Sequence, residues 1–400
     1  MPALNRIAAF APDMTAWRRH LHAHPELGLA CHDTAAFVAA RLREIGVDEI
    51  HEGLAETGVV AVIHGTGPGP VTGLRADMDA LPILEETGAD WASTVPGRMH
   101  ACGHDGHTAM LLGAARYLAE TRAFRGTAVL LFQPAEETIG GGRLMVEAGV
   151  MERFGIEEVY AIHTDPVTPL GRFSTRAGPI MAAVDDFEIV LTGQGGHAAR
   201  PDACIDPIPA ALALGQALQT IVSRNADPLA GIVLSLTVVE AGSATNVIPE
   251  RARLAGTVRT FDARLRDTAE RRLREIVAGQ AASYGVTAHI DYDRSYPPTV
   301  NHAEQAGFAA DVAREVAGAA GVDDDVAPVM GAEDFSYMLE ARPGAYVKLG
   351  QGPGASVHHP KFDFNDEAAP LGATFLARLI ERRHGTAAGC SAGRISRGQH

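Results

Sequence analysis

Thr127-Ala-Val-Leu-Leu-Phe-Gln-Pro-Ala-Glu-Glu137 joins an unbroken apolar run to two adjacent carboxylates. Thr127–Phe132 reads as a strand covered on both faces, because a strand with one wet face would alternate apolar and polar residues. Around it, Gly58–His64, Pro70–Leu74 and Val159–Ile162 have the same strand-like character. Thr34–Ile45 carries an apolar stripe at helical spacing, and Thr108–Glu120 is an Ala- and Leu-rich helix. Apolar strands alternating with helices predict an α/β fold, with a central mostly parallel sheet covered by helices.

Such a sheet gathers ligands at the carboxyl ends of its strands. Asp77 and Asp79 follow one predicted strand, Glu136 and Glu137 another, and His163 a third. A carboxylate pair at the end of an apolar strand needs water or a cation, which suggests a metal-assisted hydrolase with one acid on the ion and one on its water.

From Ala182 the rhythm changes. Strand Val184–Leu191, helix Pro207–Val222, strands Ile232–Val239 and Ala252–Thr260, helix Asp262–Tyr284 and strand Thr287–Tyr292 follow in order. That β-α-β-β-α-β order predicts an inserted ferredoxin-like domain over 182–294. The first domain, 1–181, then resumes over 295–384 with helix His302–Ala319, strand Ala345–Lys348 and helix Glu367–Arg383. The Gly385–His400 tail lacks periodicity and is expected to be disordered.

Composition narrows the function. With 34 basic and 49 acidic residues and a formal charge of -15, the chain has no Lys/Arg stripe for nucleic acid. No apolar run reaches the ~20 residues that cross a bilayer, and Met1–Phe10 has no signal-peptide core. Cys31, Cys102, Cys204 and Cys390 are too scattered for a disulfide framework. A cytoplasmic protein with reduced thiols is the expectation.

The densest chemistry lies in Met99-His-Ala-Cys-Gly-His-Asp-Gly-His107. Cys102 and His104 stand two apart in a Gly-bounded loop just before the predicted helix, and Asp105 and His107 are placed to orient a ligating imidazole. Glu137, His163 and His358 are the next donors. Five donors exceed the three usual around one catalytic zinc and suit two ions. Glu136 is then the general base. A thiolate among imidazoles and carboxylates tolerates Mn, Zn, Co or Ni. In the inserted domain, Gly193–Pro201 carries His197 in a Gly-rich stretch, read either as a tight turn or as a loop that brings His197 to substrate.

Taken together, these motifs resemble the amidohydrolase branch of the aminoacylase/carboxypeptidase metallopeptidase family, which includes hippurate hydrolases and plant auxin-conjugate hydrolases. The matching stretches are His20–Gly28, Leu74–Pro82, Met99–His107, Phe132–Glu137, Gly195–Ala199, Asn246–Glu250, Gly331–Ser336 and His358–Asp366. The resemblance implies a zinc-exopeptidase-like catalytic domain and two divalent ions on Cys102, His104, Glu137, His163 and His358. It makes Glu136 the base and acid, and Asp79 an orienting residue. His358 is chosen over His359 by its place before the Pro-Lys-Phe-Asp stretch. It further implies that the inserted domain is a lid that forms a homodimer or a higher homo-oligomer, that His197 donates to the oxyanion from the partner subunit, and that Asn246 holds the substrate carboxylate. Asp77 stands where the wider family has a ligating histidine. Phe362, Ala332 and Ile162 depart from commoner Tyr, Ser and Leu, and the first two bear on the polarity of the pocket.

The expected activity is hydrolysis of N-acyl or N-aroyl amino acids, hippurate among them, to a carboxylic acid and a free amino acid. The alternatives are a metallocarboxypeptidase or dipeptidase acting on short peptides, and an inactive metal- or peptide-binding scaffold.

Overall fold

The computed structural model describes residues 2–385. The expectation for the tail beyond Gly385 lies outside the described residues. The chain forms two compact units. One comprises the chain up to Gly178, Val300–Ala327 and the chain from Asp334. The other comprises Pro179–Thr299 and Pro328–Glu333.

The larger unit is built on eight strands: β1 Glu49–Leu54, β2 Gly58–His64, β3 Val71–Asp77, β4 Thr127–Gln133, β5 Glu158–Asp165, β6 Phe173–Ser174, β7 Val322–Asp323 and β8 Gly344–Gly350. Their order across the sheet is β1-β2-β4-β3-β5-β8-β6-β7. The central pairs β4–β3, β3–β5 and β5–β8 are parallel, as is β6–β7. The β1–β2, β2–β4 and β8–β6 pairs are antiparallel. Leu74, Leu130, Phe132 and Val347 meet Met110, Leu111 and Leu376 in one core. There the helix His104–Thr121 packs between helices Ala11–Ala23, His32–Ile45 and Ala369–His384. On the opposite face, Arg75 points away from that core toward the ring of Phe335 in the short helix Phe335–Ala341. The sheet is thus covered on both faces, as its apolar strands require.

Three boundaries differ from the sequence reading in ways that matter for the site. β3 runs on through Asp77, because the charges of Arg75 and Asp77, which read as a strand end, pair with each other at 2.7 Å inside the fold. β5 continues past Ile162 to Asp165, held by β8 at its side, where His163 is opposite Lys348. The helix expected from Thr108 begins at His104 instead. Gly103, in the left-handed region at φ 93°, stands as its N-cap, so the loop that carries Cys102 winds directly into the first helical turn.

The smaller unit has a four-stranded antiparallel sheet in the order Ile232–Ala241, Arg251–Thr260, Ala183–Thr192, Thr287–Tyr296. Helices Pro207–Leu218 and Ala263–Tyr284 bury Ala211, Leu214, Leu273 and Val277 against Ile189, Leu191 and Leu254. This is the ferredoxin-like order. Asp262 caps the longer helix by accepting from the Leu265 N–H at 2.9 Å, a bond that satisfies one of the free donors of the first turn. The shorter helix stops at Leu218, before the expected Val222, and a π-helical turn occupies Ile221–Asn225. No helix among the described residues is long and apolar enough to cross a membrane.

Candidate metal centre

The N-terminus of the helix His104–Thr121 places two imidazoles on one face, since residues three apart are neighbours on a helix. Only glycine fits before them, because a Cβ on Gly103 would lie 2.6 Å from Thr164 Cγ2. His104 Nδ1 donates to the Asp79 carbonyl oxygen at 2.9 Å. Its Nε2 is buried with no hydrogen-bond partner among the described residues. Asp77 Oδ2 is 3.6 Å from that nitrogen, Glu137 Oε1 3.9 Å and Glu136 Oε2 4.0 Å. Burial alone would lower the pKa of His104, but Asp77, Asp79 and Glu137 outweigh it and push it up to about 10. Cys102 has its Sγ 3.4 Å from His163 Nε2. Burial, and then Glu137 and Glu136, hold the Cys102 thiol well above its usual range.

The two glutamates are aimed by the backbone. Ala135 lies in the left-handed region at φ 58°, and its carbonyl accepts from the Gly140 and Gly141 N–H groups. The buried carboxylate of Asp79 accepts from the Glu136 N–H at 3.0 Å and the Glu137 N–H at 3.1 Å. One acid therefore fixes the turn that carries the other two. Glu137 Oε1 is 3.1 Å from His358 Nε2. His358 is itself at φ 65° and donates its N–H to the Ala101 carbonyl at 2.7 Å. Burial would raise the Glu137 carboxyl, but His358 and His104 bring it below its ordinary value. The neighbouring His359 is exposed, and its Nδ1 accepts from the Lys361 N–H.

The five donors named from the sequence come together as two triads that share Cys102. Cys102, His104 and His163 form one, and Cys102, Glu137 and His358 the other, each with its ligand atoms within 4.8 Å of one another. His104, Glu136 and Glu137 also meet this distance, so Glu136 borders the same space. The residues fit divalent cations: a buried imidazole nitrogen without a partner and a thiol that a cation would deprotonate stand among carboxylates whose mutual repulsion a cation would relieve.

The orienting residues are distributed differently from the sequence reading. Asp79 acts on Glu136 and Glu137 through its carboxylate and on His104 through its carbonyl. His107 bonds to none of the five donors; its Nδ1 is 2.6 Å from Asp77 Oδ1 and its Nε2 accepts from the Thr164 N–H at 2.9 Å. The bond expected from Asp105 to a ligating imidazole goes instead to His22 Nδ1 at 2.8 Å, with Arg18 Nη1 at 3.8 Å. Burial would lower His22, but Asp105 and Glu85 push it up to about 9. Sequence reasoning did not find Arg18, His22, Glu85, Arg75, Gln133 or Asp334. His22, Arg75, Gln133 and Asp334 were signalled only by membership of the stretches His20–Gly28, Leu74–Pro82, Phe132–Glu137 and Gly331–Ser336, and Arg18 and Glu85 lie outside all of them.

In the smaller unit, His197 lies on a two-stranded ribbon in which it pairs with Val247 and Gly196 pairs with Ile248, and Asn246 immediately precedes the second strand. The Ala198 N–H donates to the Asn246 carbonyl at 3.0 Å. His197 is exposed. Its Nδ1 accepts from the Ala199 N–H at 3.1 Å, so a neutral ring presents its proton on Nε2.

A fold, a donor set and an adjacent carboxylate of this kind define a dinuclear metallohydrolase, and the sequence carries the corresponding signature. Residues 73–382 match the Peptidase family M20/M25/M40, and the chain belongs to that family. It is 40% identical over 372 residues to an N-acetylcysteine deacetylase of Bacillus subtilis (strain 168), covering 93% of this chain and 97% of that protein. It is also 40% identical over 379 residues to the IAA-amino acid hydrolase ILR1-like 4 of Arabidopsis thaliana, covering 92% and 85%. Among solved structures, a dinuclear metal-binding peptidase of the M20 family from Bacillus subtilis superposes with a TM-score of 0.83 at 36% identity, covering 93% of this chain and 98% of that one.

Proposed function

We infer that this protein is a metal-dependent amidohydrolase that cleaves N-acyl amino acids to a carboxylic acid and a free amino acid. The observation that carries the reading is the pair of triads sharing Cys102 with Glu136 at their border. Cys102, His104 and His163 would hold one divalent ion, and Cys102, Glu137 and His358 the other. When bound, such ions supply a Lewis acid for the scissile carbonyl and a water acidic enough to attack at neutral pH. Glu136 takes the proton of the attacking water and returns it to the leaving nitrogen. Asp79 keeps Glu136 and Glu137 in register for these separate tasks. His197 donates from Nε2 to the oxyanion, and Asn246, just before the strand that pairs with it, to the substrate carboxylate. The inserted unit acts as a lid in a homodimer and presents His197 to the partner's site. The ions are Mn, Zn, Co or Ni, the protein is cytoplasmic, and hippurate is among its substrates.

The test is E136Q, which keeps the shape of the side chain but cannot take a proton. Both ions should remain by elemental analysis while turnover of N-acyl amino acids falls about 10²–10⁴-fold. Full activity in E136Q would refute the assignment of the base. The peptidase title of the structural relative favours a second reading, hydrolysis of short peptides. Hippurate and N-acetyl amino acids assayed against matched dipeptides separate the two. An inert scaffold would turn over neither, with or without chelator.

A further inference from the structure

Two of the stretches quoted above, Leu74–Pro82 and Gly331–Ser336, contain buried charges that the proposed reaction does not use. Arg75, 1% exposed, donates from Nη1 to Asp77 Oδ2 at 2.7 Å, from Nη2 to Asp334 Oδ1 at 2.8 Å and from Nε to Gln133 Oε1 at 2.9 Å. Asp334 also accepts from Gln133 Nε2 and from the Gly142 N–H, each at 2.7 Å to Oδ2. Asp77 is thereby fixed by one oxygen, and its other oxygen meets His107 Nδ1 at 2.6 Å.

The far side of His107 has a definite polarity. A backbone N–H can only donate, so the Thr164 N–H at 2.9 Å makes His107 Nε2 the acceptor and leaves the ring proton on Nδ1, facing Asp77. The Thr164 carbonyl, which can only accept, takes the proton of His163 Nδ1 at 2.6 Å. That leaves the His163 lone pair on Nε2, the atom that faces Cys102 Sγ at 3.4 Å. The ring of His107 also stands against that of His163, with centroids 4.5 Å apart. The topology explains why a side chain does this work. The β3–β5 register ends at Ala161, whereas β5 continues to Asp165. The buried Thr164 N–H therefore has no strand partner on that side, and His107 fills the place.

We propose that Asp334, Arg75, Asp77 and His107 form a positioning relay that fixes Thr164, and through it the tautomer and aim of His163. All four are positioning residues. The proposal rests on the reading of His163 as a metal donor.

Cobalt(II) titration of the metal-free full-length protein, followed by visible absorption, tests it. Wild type, H107F, H163A and the double variant are compared for the number of ions bound, their affinity and the band positions. H163A should lose or weaken one ion. H107F should weaken the same ion about 10–100-fold and shift its bands, and should add nothing in the H163A background. If H163A loses an ion while H107F lowers thermal stability alone, with affinity and spectrum unchanged, or if the two effects simply add, the relay is overturned. If H163A binds both ions like wild type, the donor assignment fails first and the relay with it. Should H107F not fold, D334N carries the same comparison from the far end. It keeps the side chain's volume and is expected to weaken the same ion, again with no effect once His163 is gone.

Discussion

Gly141 lies so close beneath Pro134 that a Cβ there would stand 1.7 Å from the Pro134 carbonyl oxygen. The contact closes the turn that carries Glu136 and Glu137, whose left-handed corner is Ala135. G141A must push this backbone apart. It should cost about 1–3 kcal/mol of stability and weaken metal binding, seen as a lower denaturation midpoint and a lower metal content after dialysis. A variant with unchanged metal affinity would show that the turn does not need this closure.

Cys102 belongs to both donor triads, whereas His358 belongs to one. C102A is therefore expected to weaken both ions, and H358A a single ion. Calorimetric titration with Mn or Zn reads the difference directly. Equal behaviour of the two variants would count against a shared thiolate.

His197 is exposed, and its imidazole accepts from the Ala199 N–H of its own loop. H197A should leave the thermal midpoint and metal content as they are and lower kcat about 10²–10³-fold, the loss typical of one oxyanion donor. An unaltered kcat would remove His197 from the reaction.

His22 gives a stability profile with a definite sign. Asp105 and Glu85 overcome burial to raise its pKa from 6.5 to about 9 in the folded chain. A raised pKa contributes stability in full below 6.5 and loses it as pH rises through about 9. The stability difference between wild type and H22N should thus be up to about 3 kcal/mol near pH 6 and fade by pH 10, measured by urea denaturation. The same attraction lowers the Asp105 carboxyl, so the two shifts describe one interaction and do not add. A difference that grew with pH would contradict the pairing.

The clustering of the candidate donors was legible because their chemistry is local. Cys102 and His104 share one Gly-bounded loop, and Glu136-Glu137 interrupts an apolar strand where charge needs a reason. The inserted unit was legible because each of its elements keeps its own period. What stayed hidden depends on partners far away in the chain. Arg75 and Asp334 are 259 residues apart and His22 and Asp105 are 83 apart, and no spacing rule reaches across such intervals. Buried charge also misled the strand boundary at Leu74, since nothing local shows that Arg75 will find Asp77 and Asp334 inside the fold. The edge strand Glu49–Leu54 escaped notice because it is half exposed and has no apolar pattern.

The place of β8 between β5 and β6 constrains how the molecule can be made. β5 and β6 leave the ribosome almost together, yet the strand that must separate them emerges only after the whole of Pro179–Thr299. Throughout that interval the nascent chain displays an open parallel edge, a surface prone to mispairing. Early completion of the inserted unit shortens no part of this wait, so the β5 edge is the surface that needs shielding while the chain is being made.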